Sequence, residues 1–144
     1  TGTVALTTSS TTFEKTADAN FSYQGDVTTI GSGSTTQGSL HYYTSTNTWA
    51  PARSDAVSTS SGVLLAIALG TDPTTDGMLL RGMFTLGADP GTIADVLYVG
   101  AGSGQITGTA PSSSGYCVRV VGYCLDSTNG QIWFNPDNTW VEIA

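Results

Sequence analysis

Short stretches of alternating apolar and polar residues, separated by turn residues, run through most of the chain from Phe21 onward. Alternation with a period of two is typical of half-buried β-strands, because successive side chains point to opposite faces of a sheet. No long window follows the 3.6-residue period of an amphipathic helix. The predicted strands are FSYQ, DVTTI, SLHYYT, TWAPA, VLLAIALG, GMLLRGMFTL, DVLYVG, GQITGTA, YCVRVVGYCLD, GQIWFN and TWVEIA.

Two turn dipeptides belong to a weak internal repeat. Asp76-Gly77 and Asn129-Gly130 each precede a predicted strand, and Asp-Gly and Asn-Gly are preferred residues of hairpin turns. The SSG triplets at 60–62 and 113–115 precede the two longest apolar strands, and they share with the dipeptides an offset of 53 residues. The pattern therefore predicts two similar halves.

The predicted fold is all-β, as an antiparallel β-sandwich or a small β-barrel built from these two halves. We expect a single β domain over residues 21–144, with the repeat at about 25–88 and 89–144. Residues 1–20 show little pattern and predict an extended N-terminal arm. The content of 24 Thr, 16 Ser and 18 Gly supports an all-β class, because threonine favours strands while serine and glycine favour turns.

The chain is acidic, with a formal net charge of −7 and only four Lys and Arg residues. Nucleic acids and anionic lipid surfaces are bound by clustered basic residues, so the charge argues against both partners. The longest apolar run, Val63 to Leu69, is far shorter than the ~20 residues of a membrane-spanning helix. The first ten residues contain no basic residue and no apolar segment, so we expect no signal peptide.

The two cysteines, Cys117 and Cys124, lie seven residues apart in one predicted strand. This odd spacing places them on opposite faces, about 23 Å apart, which is too far for a disulfide bond. We expect both to be small buried thiols. Two cysteines without further ligands do not form a metal site, and no metal is expected.

No motif predicts catalysis or a cofactor. His41 is the only histidine, and without a nucleophile motif or a second histidine it is expected to be a strand residue with a local hydrogen bond. The glycine-rich segment 100–108 precedes a predicted strand, whereas a dinucleotide-binding loop precedes a helix, so a hairpin turn is predicted. Asp72 and Asp76 match no defined calcium loop. A pair of carboxylates for glycoside hydrolysis stays open but has no support.

An arginine interrupts the apolar strand at residues 78–86. Alternation places Arg81 and Met83 on one face, and Arg119 is similarly placed in its own strand. Because Met and Arg are enriched in protein–protein interfaces, we expect Arg81, Met83 and Arg119 to lie at a subunit interface. The alternative is that each arginine lays its apolar stem along the surface. The predicted core face of the first strand is Met78, Leu80, Gly82, Phe84 and Leu86.

Aromatic residues suggest a second kind of site. Tyr42 and Tyr43 are consecutive, so one of them points away from the core, and Trp49 follows nearby. Together with Asn47 and Asp55, these rings would form a sugar-stacking platform. The alternative is that they fill the core and a subunit interface, as large aromatic side chains usually do.

The segments GVLLAIALGT, DGMLLRGMFTL, DVLYVGAGSGQITGTAPSSSGYCVRVVGYCLD and IWFNPDNTWVEIA resemble a β-rich module of tailed-bacteriophage virion proteins. In marine and cyanobacterial phages this module often forms the C-terminal end of fibre-like structural proteins. The resemblance spans about Gly25 to Ala144, is densest after Gly62, and rests on turn and strand patterns. It implies a non-enzymatic structural protein on the virion surface, made in the host cytoplasm, and supplies no functional residues.

Within that family, the expected role is capsid decoration or part of a tail or fibre. The expected partners are a homo-oligomer, with a trimer favoured by the resemblance, and other virion proteins such as major capsid or tail proteins. A second hypothesis is a receptor- or glycan-binding module at a tail tip, which would bind a host surface glycan through Tyr42, Tyr43 and Trp49. A third is a secreted β-sandwich with an unrecognised hydrolase site.

Overall fold

The computed structural model describes residues 19–144, which form an all-β structure in which every paired strand is antiparallel. The predicted all-β class is thus confirmed. Residues 1–18 of the predicted N-terminal arm lie outside the described residues. A single turn of 3-10 helix covers Val57–Thr59. The strands are β1 (Tyr23–Thr28), β2 (Leu40–Tyr43), β3 (Trp49–Pro51), β4 (Leu65–Ala68), β5 (Met78–Thr85), β6 (Val96–Val99), β7 (Ile106–Thr107), β8 (Cys117–Asp126), β9 (Gln131–Phe134) and β10 (Trp140–Glu142).

The strands form one sheet that curls into a half-barrel. Its order is β3-β2-β4-β5-β9-β8-β6-β7, with β1 paired to β5 and β10 paired to β8. Each end of this strand order is a hairpin, β2–β3 at one end and β6–β7 at the other. The next strand, β4 or β8, then pairs with the first strand of that hairpin. The last strands of the two series, β5 and β9, pair with each other in the middle of the sheet.

The core consists of one large and one small cluster of buried side chains. β4 contributes to both, because its alternate residues point to opposite faces. Leu65 and Ile67 pack into the large cluster, and Ala66 and Ala68 pack into the small one beneath Trp49. Burial on both faces explains why this strand lacks a polar alternation in the sequence. Other buried members of the large cluster are Leu40, Leu79, Phe84, Leu97, Val99, Val121, Ile132 and Phe134.

A bulge in β5 divides its side chains between the two clusters. The register of the β1–β5 pair shifts between Asp26 and Val27, which leaves Leu80 without an opposite residue on β1. An extra residue in one strand reverses the alternation beyond it. Phe84 therefore packs in the large cluster, while Leu80 packs against the small one. The prediction of one core face along residues 78–86 is wrong for this reason.

The predicted turns lie in hairpin connections. Residues 100–105 join β6 to β7, which pair antiparallel, so the hairpin predicted for the glycine-rich segment is confirmed. Asn129 and Gly130 end the connection 127–130 between β8 and β9. Asp76 and Gly77 end the longer connection 69–77 between β4 and β5. Both connections exceed two residues, so these dipeptides lead into the next strand without forming the whole turn.

The structure confirms that both cysteines are buried and unpaired, but it does not confirm their predicted placement on opposite faces. The register between β6 and β8 skips Val121, and Val121 and Cys124 both pack in the large cluster, so the alternation is broken between Cys117 and Cys124. Cys117 and Cys124 both lie in β8, both are completely buried, and both are free thiols. Burial raises the pKa of Cys124 above its ordinary value, with smaller contributions in the same direction from Asp89 and Asp95. Since a thiol reacts as its thiolate, this environment disfavours reaction at Cys124.

Gly82 lies where the backbones of β1 and β5 approach each other closely. Its φ is +145°, and a Cβ atom at this position would lie 2.1 Å from the backbone oxygen of Gln24. We expect Gly82→Ala to lower the free energy of unfolding by about 3 kcal/mol or more, because the backbone cannot yield without breaking the strand pair. Urea denaturation measures this change.

Gly115→Ala is the control for backbone conformation alone. Gly115 also has a positive φ, of +79°, but no atom lies within 4 Å of its added Cβ. This variant is expected to lose only about 1 kcal/mol. Equal losses for the two variants would show that the close approach at Gly82 has no energetic consequence.

Candidate functional site

A buried arginine connects three parts of the fold. Arg119 lies in β8 and is 3% exposed. Its Nε donates a hydrogen bond to the backbone oxygen of Asp137 at 2.7 Å. Its Nη1 donates to the backbone oxygens of Ser60, Ser61 and Val63 at 3.2, 2.6 and 2.7 Å. The side chain therefore links β8 to the segment that enters β4 and to the segment that precedes β10.

Local turns direct these carbonyl groups toward the guanidinium. The backbone N–H groups of Ser60 and Ser61 both donate to the carbonyl of Val57, which closes a turn immediately before β4. On the other side, the N–H of Asp137 donates to the carbonyl of Val120 at 2.9 Å, which holds its segment against β8. Both segments thus present carbonyl oxygens to Arg119.

Burial lowers the pKa of Arg119 below its ordinary value, while Cys117 and Asp137 act in the opposite direction. An arginine guanidinium nevertheless stays charged in proteins. Hydrogen bonds from a charged donor to carbonyl oxygens offset part of the cost of removing the charge from water. Arg119 is therefore a buried cation solvated by the backbone.

Arg119 also lines a cleft of about 600 Å³ beside β5. Leu80 and Arg81 line it from β5, between the residues that pair with β4 and those that pair with β9. At the rim, Nη2 of Arg81 lies 3.2 Å from the carboxylate of Asp26, and both side chains are about half exposed. The remaining lining residues are Gly62, Val63, Leu64, Leu65, Asn135, Pro136 and Asn138.

A second candidate surface lies on the opposite face of the sheet from the large cluster. Met83 of β5 is directly opposite Trp133 of β9, which is directly opposite Tyr123 of β8. Residues paired in this way point to the same face of a sheet. Tyr123 is 46% exposed. Leu125, which the register shift between Cys124 and Asp126 leaves without an opposite residue on β9, is 40% exposed. We call Arg81, Met83, Trp133, Tyr123 and Leu125 the outer sheet face.

The three residues predicted for a subunit interface do not share one surface. Arg81 is half exposed and paired with Asp26, whereas Arg119 is buried among backbone carbonyls. Arg119 therefore offers no surface to another chain, and the predicted similarity between the two arginines is corrected. Met83 is 6% exposed, covered on a face that otherwise reaches solvent. An interface through Arg81 and Met83 stays a prediction.

The three residues predicted for glycan binding do not share one face, because Tyr43 and Trp49 pack together at the small cluster and Tyr42 packs against the large one. Trp49 is 3% exposed, and its Nε1 donates to the backbone oxygen of Ile30 at 2.8 Å. The ring of Tyr43 lies 5.0 Å from that of Trp49, and its hydroxyl donates to Asn47. Tyr42 packs against the large cluster. Trp49 therefore serves as part of the small cluster and presents no open ring face for a sugar.

The remaining candidates have structural roles. His41 lies in β2, is 1% exposed, and has Nδ1 2.9 Å from the backbone oxygen of Ser39, which confirms the predicted local hydrogen bond. Asp72 accepts hydrogen bonds from Thr74, and Asp76 accepts one from the backbone N–H of Asp72. Within residues 19–144, no cluster of three or more His, Cys, Asp or Glu residues forms a metal site.

Sequence reasoning overlooked two groups of residues. Trp133 alternates with Ile132 and Phe134, so the period of two already places it on the face away from the core. Asn135 and Asn138 belong to a connecting segment, and nothing local indicates that this segment borders a cleft.

Comparisons with known proteins find no match to this chain among protein-family models, curated proteins or solved structures. No helix within residues 19–144 has both the length and the apolar character needed to cross a membrane.

Replacing Arg119 tests whether it holds the structure together. Arg119→Leu is expected to lower the free energy of unfolding by about 3 kcal/mol or more, because buried carbonyl groups lose their donor. Arg119→Lys should lose less, since an ammonium retains charge and three donors. Thermal and urea unfolding measure both. Arg53→Leu is the matched control, because Arg53 is exposed and pairs only locally with Asp55, and it should leave stability unchanged.

A stability loss for Arg119→Leu no larger than that for Arg53→Leu would contradict the linking role of Arg119.

His41 predicts a specific pH dependence. Burial lowers its pKa below the ordinary value of 6.5, although the hydrogen bond with Ser39 acts in the opposite direction. The unfolded chain therefore takes up a proton at a higher pH than the folded protein does, and stability falls as the pH drops below about 6.5. One group contributes at most about 1.4 kcal/mol per pH unit. Urea denaturation between about pH 7 and pH 5 measures this slope.

His41→Gln should flatten that slope, because the substituted side chain does not titrate. The carboxylates of Asp72 and Asp137 affect a different range. Hydrogen bonds from Thr74 and Thr139 hold their pKa values below the ordinary 3.8, so their contributions are lost only at more acidic pH. An unchanged slope in the His41→Gln variant would contradict the assignment to His41.

Proposed function

We propose that this chain is a non-enzymatic structural protein of a tailed-bacteriophage virion, which self-associates on the particle surface as a capsid decoration or a tail or fibre component. The phage assignment is supported by the resemblance of the strand and turn segments after Gly62. Self-association is supported by one structural observation, the outer sheet face defined above. The two parts of the proposal rest on different evidence and need different tests.

The outer sheet face has the composition of a protein interface. Tyr, Trp, Met and Arg are enriched where proteins bind each other, and Lys and Glu are depleted there. The exposed side chains of Tyr123 and Leu125 adjoin Trp133. A solvent-exposed sheet face would instead carry Thr, Lys or Glu at such positions. Arg81 and Asp26 lie at the margin, where a polar rim is expected.

The architecture proposed for this role is a repeated β unit. The strand order β3-β2-β4-β5 matches the order β7-β6-β8-β9. The opposite residues Leu40 and Ile67 in the first unit precede the opposite residues Val96 and Tyr123 in the second by the same 56 positions. This correspondence supports two similar halves that share one core. Such a unit would provide a rigid scaffold for assembly.

The partners follow from the proposal. The chain binds further copies of itself, with a trimer favoured by the family resemblance alone, and it contacts a major capsid or tail protein. The tail-tip alternative has less support, because Trp49 is buried and hydrogen-bonded inside the small cluster.

Charge substitution on the outer sheet face tests self-association. Wild-type protein is expected to form a discrete oligomer at micromolar concentration in sedimentation velocity and native mass spectrometry. Tyr123→Glu combined with Leu125→Glu should shift the protein to monomer, since each copy would bury two unpaired charges. Val141→Glu is the matched control, because Val141 is 61% exposed on β10 and pairs with Val118, near the opposite end of β8 from Tyr123 and Leu125.

A stable wild-type monomer under these conditions would contradict the self-association proposal. Dissociation caused equally by Val141→Glu would show that the outer sheet face is not the interface. The virion assignment needs a separate measurement, immunogold labelling of purified particles followed by electron microscopy. Label on the capsid or tail supports it, and particles without label reject it.

A further inference from the structure

Within residues 19–144, no carboxylate contacts the buried cation of Arg119. All four of its hydrogen bonds go to neutral backbone carbonyls. In residues 19–144, the ion pairs are Arg53 with Asp55 and Arg81 with Asp26. Asp137 contributes its backbone oxygen, while its carboxylate accepts a hydrogen bond from the N–H of Thr139 at 2.7 Å. Buried charges are usually paired, so the position of Arg119 favours an added anion.

One nitrogen of this guanidinium remains able to bind that anion. Nε and Nη1 both donate to backbone oxygens, whereas Nη2 donates to no acceptor in the described part of the chain. Among residues 19–144, the side-chain atoms that are fully buried and have no hydrogen-bond partner are Oγ of Ser54 and Oε1 of Gln131, so Nη2 retains some exposure to solvent. Arg119 lines the 600 Å³ cleft, and Nη2 is the guanidinium nitrogen left to serve a ligand there.

The rest of the cleft defines what accompanies the anion. The amide side chains of Asn135 and Asn138 belong to its lining, and the guanidinium of Arg81 lies at its rim. Leu64, Leu80 and other aliphatic residues form apolar walls, and Leu64 is 46% exposed. A few convergent polar groups among apolar side chains are typical of small-molecule sites of this volume.

We propose that this cleft binds a small organic monocarboxylate with an aliphatic body. The carboxylate accepts hydrogen bonds from Nη2 of Arg119 and is further attracted by Arg81. The aliphatic body lies against Leu64 and Leu80. This site does not depend on the proposed virion role, although Arg81 lies both at its rim and on the outer sheet face.

Charge and shape favour a monocarboxylate over a phosphate. The chain has a net charge of −7, which disfavours a doubly charged ligand more than a singly charged one. Arg81 is already partly neutralised by Asp26, so about one positive charge is left for the ligand. A planar carboxylate also matches the planar guanidinium.

Titration with hexanoate tests the proposal. Binding is measured by calorimetry and by ¹H–¹⁵N NMR of the backbone amides of Gly62, Leu64 and Asn138. Hexanoate is expected to bind saturably with a Kd on the order of 1 mM, a reasonable affinity for so small a ligand. Hexanamide, which has the same shape without the charge, should bind at least tenfold more weakly. Acetate should also bind at least tenfold more weakly, because it lacks the aliphatic body.

Two variants locate the site without depending on Arg119. Arg81→Gln should weaken hexanoate binding about threefold to tenfold, and Leu64→Ser should weaken it about threefold or more by shortening an exposed apolar wall. Arg53→Gln is the matched control, because Arg53 is an exposed arginine outside the cleft. Its affinity should equal that of the wild type. Arg119→Lys, if it folds, should weaken binding at least tenfold.

Three results would overturn the proposal. The first is the absence of saturable shifts at Gly62, Leu64 and Asn138 up to about 20 mM hexanoate. The second is equal affinity for hexanoate and hexanamide, which would remove the role of the charge. The third is equal or tighter binding of inorganic phosphate at the same amides, which would make the cleft a general oxyanion site.

Discussion

The fold depends on the hydrogen bonds of one buried guanidinium. Arg119 donates to carbonyl groups in two segments that are distant in sequence, residues 60–63 and residue 137. Neither segment is in a strand, so the sheet ladder does not satisfy these oxygens. A rigid, planar donor satisfies several of them at once, which an apolar side chain cannot do. The same arrangement brings a positive charge to the wall of a cleft.

The shape of the sheet follows from local irregularities in its central strands. The bulge at Leu80 moves Phe84 to the large cluster and leaves Arg81 and Met83 on the opposite face. Gly82 then allows β1 and β5 to approach closely where a side chain would collide with the backbone. One irregularity therefore separates the core from the outer sheet face. It also forms the part of β5 that borders the cleft.

The chain has few basic residues, and each of its arginines occupies a defined position. Arg53 pairs with Asp55 beside it in sequence, Arg81 pairs with Asp26 across two strands, and Arg119 is buried. In a chain with so few cations, two arginines at one cleft form its most distinctive chemical feature. The outer sheet face instead owes its character to large, nearly neutral side chains. Ligand binding and assembly would thus use different chemistry on adjoining surfaces that have Arg81 in common.

Alternation and turn residues alone determined the all-β class and the hairpin at residues 100–105, because these depend on neighbours along the chain. The alternation of residues 132–134 also indicates that Trp133 points away from the core. Tertiary structure alone decided that Arg119 is buried and Arg81 exposed, although each occurs in a similar apolar strand. The reason is physical: three of the four carbonyl groups that solvate Arg119 lie more than fifty residues away in sequence, at Ser60, Ser61 and Val63. A bulge likewise depends on the pairing of two strands, so the period of a single strand cannot reveal it.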